Sequence, residues 1–299
     1  MIISVSRRCD IPRFAFDWFM ERLDAGFVEV KNPFNSSQVR QVSLLPPFTA
    51  GIGESAELFA FWTRDPSSIL KHSEELEKRG YTYYVMTTLN SYPALLEPNA
   101  PQAETVIRSM RLLAQMIGPE RVIWRYDPVF LSNITAFDFH LRNFSDLASR
   151  LSGAVNRVIV SVYDEYTRAE RRIGALEQSG LLKRLPHYES DPAMSGPKAG
   201  EIPKQLVFGR MIHQLLAEFA GIAQEHGMEI QSCAENDLRD CGIKAGACID
   251  GEYIERVFGL KAPAKDRGQR RPNCLCVQSV DIGTYGHCLA GCVYCYASS

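Results

Sequence analysis

Short apolar runs recur along the chain, and most are followed by a stretch whose apolar residues repeat at helical spacing. The runs at 2–6, 27–31, 58–62, 82–87, 121–126, 157–162, 229–233 and 275–279 read as eight strands. Helical patterns fall at 16–24, from Pro66 onward, and at 103–117, 137–151, 203–226 and 253–260. In the first of these Trp18, Phe19 and Leu23 share one buried face, and Gly26 closes the helix. Pro66 suits a first helical turn. The segment 39–45 alternates like a small extra strand after the turn-rich Asn32-Pro-Phe-Asn35. Strands alternating with helices predict an α/β fold, and eight of them predict a (β/α)8 TIM-like barrel formed as a single domain over 1–299. A doubly wound open sheet is the alternative that strand counting leaves open. The charged, proline-containing stretch 165–198 reads as an insertion, either a lid over the site or a plain surface loop.

The 299 residues are enough for one large α/β domain, and neither the 45% apolar content nor the net charge of −2 departs from soluble globular chains. That charge gives no case for nucleic acid or an anionic membrane as partner. No apolar stretch approaches the length of a membrane span, and the N-terminus lacks a signal-peptide pattern, so a cytoplasmic protein is expected. In that setting nine cysteines point to metal binding or buried thiols before disulfides.

The strongest chemical signal is the loop 274–297. Cys288, Cys292 and Cys295 stand in a C-x3-C-x2-C pattern, with Tyr294 directly before the third. Thiolates on one short loop suit a cubane iron–sulfur cluster, and three of them leave one iron open. Zinc is the rival, because Cys274 and Cys276 with the same loop supply four thiolates. Cys233, Cys248, Cys274 and Cys276 form a second candidate metal set, with inert buried thiols as the alternative. Cys241 clusters with Cys233 and Cys248 after the seventh strand, Cys9 stands alone and reads as buried packing, and His287 either tunes the loop or faces solvent.

Polar residues follow the expected strands: Arg7 to Asp10, Thr63 to Asp65, Thr87 to Asn90, Asp127, Tyr163 to Glu165, Cys233 to Glu235, and Asp281. In a barrel these ends converge on the carboxyl rim, where active sites sit, although Asp65 and Asp237 are assigned to helix capping. Arg125 and Asp127, two apart on one strand, face the same side and can pair or share a ligand. They and Glu235 are the candidate substrate-contacting or catalytic residues. Arg7 and Arg8 are candidates for holding a carboxylate or phosphate.

The loop matches the CxxxCx(aromatic)C motif of radical S-adenosylmethionine (SAM) enzymes at every fixed position. Together the segments Ile-Ile-Ser-Val-Ser-Arg-Arg-Cys-Asp, Phe-Trp-Thr-Arg-Asp-Pro, Arg-Tyr-Asp-Pro and the cysteine-rich tail resemble, over essentially the whole chain, a bacterial domain-of-unknown-function family related to radical-SAM proteins and distantly to spore photoproduct lyase. The resemblance implies a 4Fe–4S cluster on Cys288, Cys292 and Cys295, with SAM at the open iron and Tyr294 beside its adenine. Reductive cleavage of SAM to a 5′-deoxyadenosyl radical would then abstract hydrogen from a small-molecule substrate, the electron coming from a flavodoxin or ferredoxin. Radical-SAM proteins usually carry these cysteines after the first strand; here they follow the last, as in a circularly permuted barrel. No Gly-Gly-Glu-like stretch follows the 2–6 strand to grip the SAM amino group. A SAM-independent cluster protein, acting in redox or as a Lewis acid, and a non-enzymatic zinc protein remain the alternatives.

Overall fold

The structure, a computed structural model, describes residues 1–32, 35–48, 55–186, 188–189, 207–235, 238–266 and 273–297. The chain opens with β1 (Ile2–Val5), α1 (Ile11–Phe14) and α2 (Phe16–Ala25), then the hairpin β2 (Phe27–Asn32) and β3 (Asn35–Ser43). Alternation of strand and helix follows through β4 (Leu58–Thr63), α3 (Ser67–Lys78), β5 (Tyr83–Thr88), α4 (Ala103–Ile117), β6 (Val122–Val129), α5 (Phe137–Leu151), β7 (Arg157–Val162) and α6 (Thr167–Gln178). A small pair, β8 (Tyr188–Glu189) and β9 (Val207–Phe208), precedes α7 (Arg210–Glu225), β10 (Glu229–Cys233), β11 (Lys244–Gly246), α8 (Gly251–Phe258) and β12 (Val280–Asp281). No described helix is long and apolar enough to cross a membrane.

Eight strands form one parallel sheet in the order β11-β10-β7-β6-β5-β4-β1-β12. The order follows the chain from β1 to β11 without the reversal that a doubly wound sheet requires. β11 and β12 are the two edges, and among the described residues no ladder joins them into a closed barrel.

Both faces of the sheet are buried, which is why its strands read as continuous apolar runs. Alternate residues divide between two cores. Val5, Phe61, Val85, Trp124 and Val160 join the larger one with the packed helices, while Ala60, Trp62, Tyr84, Met86 and Ile159 face a second one closed by Tyr253 and Ile254 of α8. The helices at 103–117 and 137–151 fall where their apolar spacing places them, and Phe144 of α5 stacks on Phe219 of α7 with ring centroids 4.0 Å apart.

Several expectations are corrected. The run 27–31 is no member of the parallel sheet: it pairs antiparallel with β3, from Phe27 opposite Ser43. Its alternation of Val28 and Val30 with Glu29 and Lys31 leaves one side exposed, which a doubly covered sheet does not permit. The missing sheet strand is β11, whose Lys-Ala-Gly is too short and polar to register as an apolar run. The last strand is not 275–279 but Val280–Asp281; Val277 makes only an isolated bridge to Lys265. In the stretch read as an insertion, residues 167–178 form α6 and residues 190–198 lie outside the described residues. The helix expected from 203 begins at Arg210, after β9, and residues 203–206 lie outside the description, as does the proposed cap Asp237.

β12 joins β1 with only two register pairs, Ile3 opposite Val280 and Ser4 opposite Asp281, so side-chain bonds carry the junction. Asp281 is buried and accepts from Ser4 Oγ at 2.9 Å, Ser6 Oγ at 2.5 Å, the Arg7 amide at 2.8 Å and the Gly283 amide at 3.0 Å. The Arg7 and Arg8 guanidinium groups balance its charge at 3.6 and 3.9 Å. Replacing Asp281 by Ala leaves two buried hydroxyls and two amides without their acceptor. We expect a loss of about 3 kcal/mol or more in denaturant-unfolding stability, with Asp281→Asn losing less. A variant equal to wild type would show that the junction does not depend on this carboxylate.

Candidate functional site

The cysteine loop leaves β12 and is moored from three directions. The Val293 amide donates to Leu96 O at 2.9 Å, Asn99 Nδ2 to Leu289 O at 2.9 Å, and Tyr296 Oη to Arg7 O at 2.8 Å. Arg172 of α6 donates Nε to Val293 O at 3.0 Å and Nη2 to Cys295 O. Gly291, at φ +66°, lets the chain turn between the first two cysteines, where a Cβ would meet Pro98 at 3.3 Å. Cys292 is buried, while Cys288 and Cys295 are half-buried.

Cys295 lies close enough to Cys288 and Cys292 to oppose their ionisation. Burial pushes Cys292 up to about 11, against the pull of Arg64 and with a further push from Glu97, Cys295 and Cys288. Burial likewise raises Cys288, where the Asp10 and Ala290 amides lower it and Asp10 and Cys295 oppose its charge. Cys9, read from sequence as simple packing, is half-buried and near Cys288, and burial and the neighbouring Asp281 and Cys288 raise its thiol too. Among the described residues no three His, Cys, Asp or Glu side chains converge as ligands of one ion. A cubane takes each thiolate on a different iron, so a loop of three spaced thiols does not need that convergence.

Tyr294 faces into the protein. Its ring lies 6.0 Å from Tyr92 edge-on and 6.4 Å from Phe130, nearly parallel. Its hydroxyl donates to Glu97 Oε1 and accepts from Arg64 Nη2 and from Asn90 Nδ2 at 3.0 Å. Arg64 and Glu97 form an ion pair at 2.9 Å, and all four residues are buried. Sequence reasoning placed Arg64 and Asn90 at strand ends but assigned them no partner, and it gave no signal at all for Glu97.

On the second face of the sheet, Arg125 pairs with Asp127, which also accepts from Ser161 Oγ. Burial disfavours the Arg125 charge, but Asp127 together with Cys248, Cys233 and Tyr296 outweighs it, and the guanidinium is held above its usual range. Arg125 lies over the Trp62 ring at 4.7 Å, and Arg7 approaches the same ring at 6.0 Å. The structure therefore brings together Arg7, Arg125 and Asp127. Arg8 turns the other way, donating to Gly283 O at 3.2 Å and facing Tyr285 at 5.5 Å. Glu235 is buried at the end of β10 and accepts from the Val162 amide at 3.4 Å. Tyr294 belongs to the larger core, whereas Trp62 belongs to the second.

A protein-family profile described as "Domain of unknown function (DUF1848)" matches residues 2–297. The chain belongs to the DUF1848 family. No curated protein matches it. Two solved structures are similar at 8% identity, and both concern the pneumococcal protein StrH. One describes differential inhibition of the tandem GH20 catalytic modules in this exo-β-D-N-acetylglucosaminidase, with a TM-score of 0.26 over 80% of the DUF1848 chain and 56% of the other. The second describes StrH inhibition and N-glycan recognition and hydrolysis, with a TM-score of 0.29 over 94% and 76%. The DUF1848 chain thus spans little more than half of the first, and neither likeness is close enough to carry an argument.

Asp10 links this loop to the sheet. Its carboxylate accepts from Thr63 Oγ1 at 2.7 Å, the Arg64 amide at 2.8 Å and the Arg13 amide at 3.1 Å. Burial nevertheless raises its pKa from 3.8 to about 6. The folded chain thus keeps a proton that the unfolded chain releases. Stability from this group is fully present below pH 3.8 and is lost as pH rises through 6. Relative to Asp10→Asn, wild type is expected to lose about 3 kcal/mol of unfolding free energy between pH 3.8 and 6. Parallel stability profiles for the two proteins would refute the buried titration.

Proposed function

We propose that this chain is an iron–sulfur enzyme of the radical-SAM type, built on a TIM-like barrel permuted so that the cluster loop follows the last strand. The observation that carries the reading is the grouping of Cys288, Cys292 and Cys295 on one loop bonded to the loop after β1 and to α6. The monotonic strand order, with β12 beside β1, supports the barrel.

When bound on the three thiolates, a 4Fe–4S cluster would supply an open iron for SAM and the electron that cleaves it. The chain's own residues do the rest. Arg172 fixes the carbonyls of Val293 and Cys295 and so orients the third thiol. Tyr294, with its hydroxyl held by Arg64, Asn90 and Glu97, locks the aromatic position of the motif, and we assign it to holding the loop. Arg7 and Arg125 present positive charge beside Trp62, which suits a carboxylate of SAM or of a small anionic substrate. Asp127 and Ser161 keep Arg125 in that pose. Glu235 is a candidate proton acceptor at the end of β10. An electron donor of the flavodoxin or ferredoxin class and a cytoplasmic location go with this reading.

The test is anaerobic purification, iron and sulfide counting, and electron paramagnetic resonance of the reduced protein with and without SAM. A cluster signal that shifts on adding SAM, and that vanishes in the Cys288→Ala, Cys292→Ala, Cys295→Ala triple variant, is the expected result. A cluster signal unmoved by SAM removes the SAM step, and zinc in place of iron removes the whole reading.

A further inference from the structure

The other end of the cysteine inventory lies where the sheet is open. Cys233 ends β10, and Cys248 follows β11 by two residues; their sulfurs are 3.2 Å apart with no disulfide between them. Cys274 and Cys276 precede β12, the opposite edge, and are joined by a thiol hydrogen bond. The two sides meet. The Ile249 amide donates to Cys276 Sγ at 3.4 Å, the Val277 amide donates to Ile249 O at 3.0 Å, and Cys276 lies within electrostatic reach of Cys233. Four thiols, in two close pairs linked through Ile249, therefore flank the seam that the backbone ladders leave unpaired among the described residues.

Their surroundings suit a bound cationic centre with thiolate ligands. Cys248, Cys274 and Cys276 are buried in the second core, and Cys233 packs against it. Arg125 stands within reach of Cys233 and Cys248, and Arg7 within reach of Cys248 and Cys276. Both guanidinium groups also have carboxylate partners, Arg125 in Asp127 and Arg7 in Asp281, so polar ion pairs rather than apolar side chains border the sulfurs on this side. The sulfurs stand as two close pairs, and no three converge on one point among the described residues. A single tetrahedral ion draws all four sulfurs together, whereas a two-iron cluster takes two on each iron.

We propose that Cys233, Cys248, Cys274 and Cys276 hold a second iron–sulfur centre, distinct from the C-terminal loop, that bridges β10 and β11 to the segment entering β12. The thiol pairs assign one iron to Cys233 and Cys248 and the other to Cys274 and Cys276. Loading exchanges the thiol protons for metal charge, so protons are released as the centre forms.

The experiment uses full-length protein, prepared anaerobically and reconstituted with ferric iron and sulfide, so that a diferric two-iron centre forms without a further oxidant. Iron, sulfide and zinc are counted in wild type, in the Cys288→Ala, Cys292→Ala, Cys295→Ala triple variant, and in that triple with Cys233→Ser and Cys276→Ser added. The triple variant is expected to keep about two irons and two sulfides per chain with visible charge-transfer absorbance, and the quintuple variant to lose them. If the quintuple variant does not fold, judged by circular dichroism and gel filtration, wild type decides: it should carry about two irons beyond the four of one cubane. A triple variant holding zinc without sulfide, or no metal, with wild type at four irons or fewer, overturns the proposal. Equal iron in wild type and triple variant keeps the seam centre while removing the loop cluster, so the two readings fail separately.

Discussion

The bonding around Asp281 is the constraint on which the candidate site depends. A two-residue strand supplies few backbone bonds, yet it must hold the chain's C-terminal cysteine loop beside its first strand. A buried carboxylate meets that demand because it accepts from several donors at once and attracts the arginines that follow β1. The cost of burying its charge is offset only while all these partners stay in place, which couples the position of Arg7 and Arg8 to the start of the loop. Segments 274 or more residues apart in sequence thereby become one rim.

The two faces of the sheet divide the labour. Residues turned toward the helices include large aromatics such as Trp124, which stacks on Phe144 of α5, and Phe144 in turn stacks on Phe219 of α7. Residues turned the other way become polar toward the carboxyl ends: Arg125 follows Ile123, and Ser161 follows Ile159. The change from apolar to charged along one face of one strand ends the second core at the carboxyl side of the sheet. Trp62 sits at that boundary, apolar in its contacts and accepting two guanidinium groups on its ring.

Much of the fold was legible because strands buried on both faces produce apolar runs, and amphipathic helices such as α4 and α5 repeat cleanly. β11 was hidden for a physical reason: three residues with a lysine and a glycine are placed by register with Gln231 to Cys233, not by their own hydrophobicity. The run 27–31 reads as a strand of the main sheet, whereas it pairs with β3, because an alternating run shows that a strand forms, not which partner it takes. At the site, spacing exposed the cysteine triad and the Arg125–Asp127 pair, both local in sequence. The Arg64–Glu97–Tyr294 network was invisible because its members are joined only by long-range folding.

That network explains why an aromatic with a hydroxyl precedes the last cysteine. A phenylalanine there could fill the space against Tyr92 and Phe130, but Glu97 would lose a donor and Arg64 an acceptor inside the core. The guanidinium of Arg64 also lies near Cys292 and favours its thiolate, while Glu97 and the other loop cysteines oppose it. Burial outweighs the pull of Arg64, and Cys292 is pushed up to about 11. The Arg64–Glu97 ion pair and the hydrogen bonds to the Tyr294 hydroxyl hold the loop without drawing on any thiolate. The residues behind the loop thus set the shape in advance, and the charge balance at the thiols decides what the loop can accept.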